Sequence, residues 1–228
     1  MSTGLYIRQK KSLHLGIWAF WSIFFFLCGA TMWYGYRFYT AGELPPVPIP
    51  VVTARTDVEE TPVAPEKKQE HTVSPLHPRF ISIPSLGITN ARVLGVGVRA
   101  NGEVDTPRNI HDTGWYTKSS LPGEDFGAVL IDGHNGGPTK GGVFEHLPKL
   151  QVGSTIVIER GDGKKITYII KENTTISLED MNNGGMDKAA KSVSSGAQGL
   201  SLISCTGKWI PAQETYDQRV VVRAVEQS

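Results

Sequence analysis

The chain has 228 residues, of which 39% are hydrophobic and 20% are charged, and these proportions are ordinary for a globular protein. Its formal net charge of +1 at pH 7 provides no large basic field, so the composition argues against nucleic-acid binding. The two cysteines do not indicate a disulfide framework, because Cys28 lies in an apolar segment far from Cys205.

The first predicted element is a membrane-spanning helix over residues 15–36, whose sequence LGIWAFWSIFFFLCGATMWYGY carries no charged side chain. About 20 such residues are enough for a helix to cross the hydrocarbon core of a bilayer. The run ends in the bulky Met32, Trp33 and Tyr34 instead of small residues at a cleavage site. We therefore expect a helix that stays in the lipid bilayer and not a signal peptide.

The basic residues that flank this helix predict its orientation. Arg8, Lys10 and Lys11 precede the span, whereas Arg37 alone follows closely behind it. The positive-inside rule then places residues 1–14 in the cytoplasm and the rest of the chain outside. We expect a single-pass protein of the cell membrane with an extracytoplasmic domain.

Residues 37–78 are predicted to be a Pro-rich extracytoplasmic linker. Eight of the 14 prolines lie here, among mixed charges and very few aromatic side chains. Such a segment cannot bury enough apolar surface to fold by itself. We expect it to be a disordered stalk.

Residues 79–228 are predicted to form the folded domain. They contain short aliphatic or alternating runs, FISIPSLGI, AVLID, TIVIE, ITYIIK, LSLIS and RVVVRAV, separated by clusters of Gly, Pro, Asn and Asp. This pattern predicts six or more short strands in a mainly all-β sandwich or barrel. Two segments around Glu145 and Lys188 have a helical pattern, but neither is long enough to cover a parallel sheet.

Cys205 is the first candidate for chemistry, because a thiol outside the cell tends to be oxidised or paired unless it has a function. The strand period of two separates it from Leu200 and Leu202, and a glycine-containing loop follows it. The alternative is an inert, buried cysteine at a strand end. A nucleophilic thiol has an ordinary pKa of about 8.5, so it needs a base or a positive charge beside it.

Two residues far away in the sequence could supply that base and that charge. His134 follows an apolar strand pattern within DGHNGG, whereas His111 and His146 lack this context and are expected to be surface imidazoles. Arg219 begins the last aliphatic strand, where a guanidinium could hold an oxyanion. Arg223 shares the face of Arg219 by spacing, and we expect it to face water.

These residues together resemble the sortase family, in which Thr-Leu-x-Thr-Cys usually leads to the nucleophile. The corresponding run here is Ser201-Leu202-Ile203-Ser204-Cys205, in which both threonines are serines. Further pieces are similar to sortases of class E and class F: NGEVDTP at 101–107, GWY at 114–116, GHN at 133–135 and GVF at 142–144. The resemblance covers residues 79–228.

The resemblance implies a closed, eight-stranded sortase-type β-barrel with short helices and the activity of a cysteine transpeptidase. Cys205 would be the nucleophile, His134 the acid that protonates the leaving amine, and Arg219 the clamp on substrate or oxyanion. Three further residues are predicted to bind substrate: Ser201, Ser204 and Asn135. No cofactor is implied, and no metal is expected because Cys205 and His134 have no second ligand at metal-binding spacing.

The implied partners are secreted proteins with an LPxTG-like sorting signal, and an amine from a peptidoglycan precursor or a pilin lysine. We favour an anchoring role over pilin assembly, because the linker has no Asp-Pro-aromatic plug of the pilin-type lids. Three alternatives stay open. They are a thiol hydrolase on the same fold, an L,D-transpeptidase, which would have His and Gly before its cysteine, and a non-catalytic membrane-tethered β-domain that binds at the surface.

Overall fold

The computed structural model of the protein describes residues 13–100 and 102–227, with side chains from residue 16 onward. Residues up to Pro50 belong to one compact unit and those from Val51 onward to a second, and each unit is described by itself. The basic cluster on which the predicted orientation depends, Arg8, Lys10 and Lys11, lies outside the described residues, as does Asn101.

The first unit is dominated by helix α1 (Leu13–Ala41), whose 29 residues exceed the length needed to cross a bilayer. Large apolar side chains such as Trp18 and Phe26 are exposed along it, as expected for a helix that contacts lipid. The segment from Gly16 onward is long and apolar enough to span a membrane. The helix continues past the predicted end at residue 36, because no glycine or proline interrupts the sequence before Gly42.

The second unit contains a closed barrel of eight strands, which confirms the predicted fold class. Their order around the barrel is β1-β2-β3-β4-β7-β8-β6-β5, and β5 pairs back with β1. The β2–β3 and β4–β7 pairs are parallel, and the other pairs are antiparallel. The strands are β1 (Pro78–Ile83), β2 (Ile88–Val96), β3 (Thr113–Tyr116), β4 (Ala128–Gly133), β5 (Thr155–Arg160), β6 (Lys165–Ser177), β7 (Gly199–Ile210) and β8 (Thr215–Glu226).

Short helical segments precede or connect these strands. Three of them are α2 (Pro65–Gln69), α3 (Leu178–Asp180) and α4 (Met186–Ala189), and a π-type turn, Met181–Gly185, joins α3 to α4. Three are 3₁₀ turns: Pro84–Leu86, Leu147–Lys149 and Pro211–Gln213. The helical patterns predicted around Glu145 and Lys188 correspond to the second of these turns and to α4.

Alternation along the strands divides the apolar side chains between two faces. One set, which includes Ile131, Leu202 and Val222, fills the barrel interior. A second set packs Leu130 and Val221 on the outside against the segment that contains α3 and α4. The outer face of β4, β7 and β8 is therefore partly covered, and the odd-numbered residues of β7, including Cys205, lie on it as the strand period predicted.

Residues 51–64, which we call the strap, lie against the barrel. The N–H of Glu59 donates to the carbonyl of Arg108 at 2.8 Å, and the N–H of Ile110 donates to the carbonyl of Glu59 at 3.0 Å. Ala54 is only 5% exposed. The predicted disordered stalk is therefore corrected over this segment, because the barrel supplies the packing and hydrogen-bonding surface that the segment lacks by itself.

The rest of the predicted stalk, residues 65–78, also packs on the barrel. It begins with α2 and ends where β1 starts. The His71 ring nitrogen Nε2 lies 3.1 Å from the carbonyl oxygen of Val93, and the His77 ring contacts the Trp115 ring with 4.8 Å between their centroids. The ordered domain thus begins near residue 51 and not at the predicted residue 79.

Candidate active site

Three adjacent strands bring His134, Cys205 and Arg219 into one row on the outer face of the barrel. The antiparallel β7–β8 pairing puts Cys205 directly opposite Arg219. The parallel β4–β7 pairing aligns Asp132 with Ile203, and the same register carried two residues further places His134 beside Cys205. Since neighbouring strands lie about 4.8 Å apart, the three predicted residues are neighbours.

Two serines that were predicted to bind substrate are instead used inside the fold. The Ser204 hydroxyl donates to the Gly133 carbonyl at 2.9 Å, which joins the residue before Cys205 to the residue before His134. The Ser201 hydroxyl donates to the Ala189 carbonyl at 2.7 Å. Both serines are buried, so we revise their predicted role from binding substrate to holding β7 in place.

Cys205 and Arg219 lie within their strands and not at the strand ends that the sequence indicated. β7 continues to Ile210 because Gly207, at a φ of +87°, forms an irregularity in the β7–β8 ladder after which pairing resumes. β8 begins at Thr215, four residues before Arg219. The site therefore lies on a long hairpin that extends past the row of three residues.

The Cys205 thiol is partly buried, and its surroundings favour the protonated form. Burial raises its pKa, while the positive charge of Arg219 and a hydrogen bond from Thr215 act in the opposite direction. Thr215 Oγ1 also accepts a hydrogen bond of 2.8 Å from Arg219 Nη2. Thr215 thus connects the thiol to the guanidinium.

The guanidinium of Arg219 is held beside the thiol by its own strand. Besides the bond to Thr215, its Nη1 donates to the carbonyls of Tyr216 at 2.8 Å and Gln218 at 2.9 Å. These three bonds use three of the five N–H groups of a guanidinium. Arg219 therefore has a fixed position and keeps donors that can reach a developing oxyanion.

Arg223, which lies on the same face as Arg219, has a structural role. It is only 7% exposed, and its Nη1 donates to Glu172 Oε2 at 2.9 Å while its Nη2 donates to the Lys191 carbonyl at 3.0 Å. The prediction that Arg223 faces water was wrong, because the chain between β6 and β7 covers this part of the sheet.

The His134 ring is held by a backbone carbonyl. Its Nε2 lies 2.7 Å from the carbonyl oxygen of Pro107. Because a carbonyl oxygen only accepts, Nε2 carries the hydrogen and Nδ1 is the nitrogen that can exchange a proton. Burial lowers the pKa of His134, so the imidazole is neutral at neutral pH.

The strap reaches this row of residues. The Tyr216 hydroxyl donates to the Thr53 carbonyl at 3.0 Å, and Tyr216 also shares a hydrogen bond with Asn135, the third predicted substrate-binding residue. Arg55 forms an ion pair with Asp57, with 2.9 Å between Nη2 and Oδ2, and its charge acts on the pKa of Cys205. The strap therefore covers part of the site, although residues 37–78 contain no Asp-Pro-aromatic plug.

The other two histidines of residues 79–228 lie apart from the row. His111 and His146 line a shallow cavity of about 310 Å³ with Lys68 and Glu145. In the part of the chain that the structure describes, no three His, Cys, Asp or Glu side chains cluster in a way that could hold a metal ion.

Several residues that contact the predicted site residues were not expected from the sequence. Thr215 and Tyr216 lie four and three residues before Arg219, and Pro107 contacts His134 from the loop before β3. The sequence placed the start of the last aliphatic strand at Arg219, and the contact of Thr215 with Cys205 depends on the β7–β8 register. No sequence pattern indicated that the Pro107 carbonyl would meet an imidazole.

The family of this chain is decided by the match of its barrel to a family model. The Sortase domain model matches residues 81–227, which is more than half of the chain. The chain belongs to the sortase family.

Solved structures agree with this fold. This sortase is similar to sortase A from Corynebacterium diphtheriae, with a TM-score of 0.50 and 22% identity over 67% of this chain and 62% of that chain. A lid mutant of sortase A from the same organism gives a TM-score of 0.51 and 20% identity, over 72% of this chain and 76% of that chain.

The match to sortase C1 of GBS Pilus Island 1 has a TM-score of 0.46 and 20% identity, and it covers 65% of this chain and 63% of that chain. This sortase therefore spans less than two thirds of that chain and of the first Corynebacterium chain. None of the curated proteins compared with this sortase matches it significantly.

Proposed function

We propose that this sortase is a membrane-anchored cysteine transpeptidase in which Cys205 is the nucleophile, His134 the acid and base, and Arg219 the clamp on the oxyanion. The observation that carries the proposal is that Cys205 on β7 pairs with Arg219 on β8, while His134 follows β4, whose pairing with β7 runs to Asp132 and Ile203. A thiol, an imidazole and a guanidinium on neighbouring parts of one sheet are the groups that acyl transfer requires.

The acylation step starts from a neutral thiol and a neutral imidazole. As the Cys205 sulfur attacks a peptide carbonyl, its proton moves to Nδ1 of His134, and the oxyanion that forms is held by Arg219. When the tetrahedral intermediate collapses, the C–N bond breaks and the Nδ1 proton passes to the departing amine. A thioester on Cys205 remains, and every proton is accounted for.

The second step reverses these proton movements. An incoming amine attacks the thioester carbonyl and gives its proton to Nδ1 of His134. The C–S bond then breaks, and the sulfur recovers its proton. The product is a new amide if an amine attacks and a free carboxylate if water attacks, so the acceptor alone separates the transpeptidase from the thiol hydrolase.

The substrates that fit the proposal are secreted proteins with an LPxTG-like sorting signal and an amine of a peptidoglycan precursor, or of a pilin lysine. Helix α1 would hold the enzyme in the cell membrane with its N-terminus in the cytoplasm and the barrel outside. The lack of an Asp-Pro-aromatic plug in residues 37–78 favours an anchoring role over pilin assembly.

The proposal is tested with the full chain in detergent micelles, LPxTG-type peptides and amine acceptors of both kinds. We expect amide products from the wild type and none from Cys205→Ala, and a fall in kcat of about 10²–10⁴-fold for His134→Gln. A product that persists in Cys205→Ala would remove Cys205 as the nucleophile. A free carboxylate as the main product at saturating amine would favour the hydrolase.

A further inference from the structure

Asp132, two residues before His134, is half-buried and carries a carboxyl group that the proposed mechanism does not use. Thr106 donates a hydrogen bond to the carboxyl group. The other oxygen, Oδ1, is inaccessible to solvent and has no hydrogen-bond partner among the described residues. Such a group is unfavourable for stability, so its presence next to the site indicates a function.

The hydrogen bond between Asp132 and Thr106 leads directly to the His134 ring. Thr106 is followed by the buried Pro107, whose carbonyl oxygen lies 2.7 Å from His134 Nε2. Proline fixes its own φ angle, so an anchor at Thr106 also places the carbonyl carbon of Pro107 and leaves only the ψ angle of Pro107 to orient the oxygen. A carboxyl group on β4 thus helps to hold the backbone group that orients the imidazole two residues later.

The same arrangement explains the glycine of the GWY segment. A Cβ atom at Gly114 would overlap with Asp132 Oδ1 and would lie 2.9 Å from Pro107 Cδ. Gly114 is paired with Asp132 across the β3–β4 ladder, so any side chain there would displace both groups. The DTP, GWY and DGH segments therefore meet at one point beside His134.

The charged side chains around Asp132 do not balance the negative charge that it would carry as a carboxylate. Asp105 acts to raise its pKa further, and Arg99, which acts to lower it, already donates to Asp105 Oδ1 at 2.6 Å. Burial raises the pKa of Asp132 to about 7. The neutral acid and an asparagine therefore have nearly the same shape and charge at this position.

We propose that Asp132 is a positioning residue that acts through Thr106 and Pro107 to keep the hydrogen of His134 on Nε2, so that Nδ1 faces the reaction. This inference rests on the proposed function for its catalytic meaning, but the tautomer itself can be measured separately. Asp132 touches no reacting atom in this scheme. Its effect is on which nitrogen of His134 exchanges protons.

The test is long-range ¹H–¹⁵N correlation NMR of the full chain labelled with [¹⁵N]histidine, with His134→Gln to assign the signal. We expect the neutral His134 ring of the wild type to be the Nε2–H tautomer. Thr106→Val, which removes only the hydroxyl, and Asp132→Ala should give a mixture of tautomers. Asp132→Asn should restore the wild-type signal, because its amide oxygen still accepts from Thr106.

The same variants are compared in steady-state kinetics. We expect kcat to fall about 10- to 100-fold for Thr106→Val and Asp132→Ala, with KM for the peptide within twofold and most activity regained in Asp132→Asn. The surface substitutions Thr89→Val and Asp187→Ala are matched controls that leave both readouts unchanged. If Asp132→Ala does not fold, the tautomer and the kcat of Thr106→Val test the proposal.

The inference is overturned if folded Thr106→Val keeps a pure Nε2–H tautomer and the wild-type kcat. It is also overturned if Asp132→Asn loses the tautomer to the same extent as Asp132→Ala. A wild-type chain that forms no thioester would contradict the proposed function instead, since the NMR signal of His134 does not depend on turnover.

Discussion

Burial acts on the Cys205 thiol and the His134 imidazole with the same result. It raises the pKa of the thiol and lowers the pKa of the imidazole, so each group favours its neutral form. In the proposed mechanism the thiolate therefore forms during the attack on substrate and is not stored in the resting protein. Keeping Asp132 uncharged helps this step, because a carboxylate there raises the pKa of Cys205 further.

The raised pKa of Asp132 predicts how the stability of the fold depends on pH. Its folded-state pKa of about 7 lies above the unfolded value of about 4, so the folded state binds more protons between these pH values. The protonated acid contributes to the free energy of unfolding below about pH 4, and this contribution is lost as the pH rises through about 7. Asp132→Asn should remove this loss.

The measurement is the thermal midpoint of wild type and Asp132→Asn at pH 3.5 and pH 7.5. We expect equal midpoints at the lower pH and a variant more stable by several degrees at the higher pH. The lowered pKa of His134 acts with the opposite sign, but both proteins contain His134 and its effect cancels in the difference. A variant that is less stable at pH 7.5 would show that the carboxylate is stabilising there.

At the scale of the strands, β8 carries two arginines on one face with different tasks. Arg219→Ala should lower kcat about 10²–10³-fold and change the thermal midpoint little, because in the proposed mechanism the guanidinium holds the oxyanion. Arg223→Ala should destabilise the fold by about 3 kcal/mol, because it breaks a mostly buried pair with Glu172. Activity assays and thermal unfolding of both variants check this contrast, and a reversed pattern would exchange the two roles.

The alternation of residues along single strands was enough to predict much of the site. It placed Cys205 on the opposite face from Leu202. The strand pattern before His134 separated this histidine from His111 and His146, and the family resemblance gave His134 and Arg219 their roles. What it could not provide is the pairing between distant strands, which fixes Cys205 opposite Arg219 and brings Thr215 to the thiol. The contact of Pro107 with His134 depends on such a long-range arrangement too.

The strap is the largest difference between the predicted and the observed domain. Its composition is that of a disordered segment, yet it is ordered because backbone groups and side chains of the barrel hold it. Glu60 is one such anchor, since its carboxylate accepts from the N–H of Thr139 at 2.8 Å, from the N–H of Lys140 at 3.2 Å and from the Thr139 hydroxyl. No local sequence pattern reports these contacts.

Loosening the strap should expose the thiol. Glu60→Ala removes the anchor at Thr139 and Lys140, so we expect Cys205 to be alkylated severalfold faster by a small thiol reagent, followed by intact-mass spectrometry. Glu66→Ala, at an exposed carboxylate of α2, is the matched control and should react like wild type. An unchanged rate in Glu60→Ala would mean that the strap does not limit access to Cys205.

At the scale of the whole molecule, helix α1 and the barrel together predict where the thiol is in the cell. In intact cells, a permanently charged reagent that does not cross membranes should label Cys205 and leave Cys28 unmodified. Cys28→Ser should be labelled like wild type, and Cys205→Ser should not be labelled. Labelling of Cys205 only after lysis would reverse the proposed topology.

The central claim is that the sulfur of Cys205 carries the acyl group during turnover. Intact-mass spectrometry of the full chain, acid-quenched after mixing with a sorting-motif peptide, tests this claim directly. We expect a mass increase equal to the acyl fragment, located at Cys205 by peptide mapping and released by hydroxylamine. Cleavage of the peptide with no adduct on Cys205, or with the same adduct in Cys205→Ala, would contradict it.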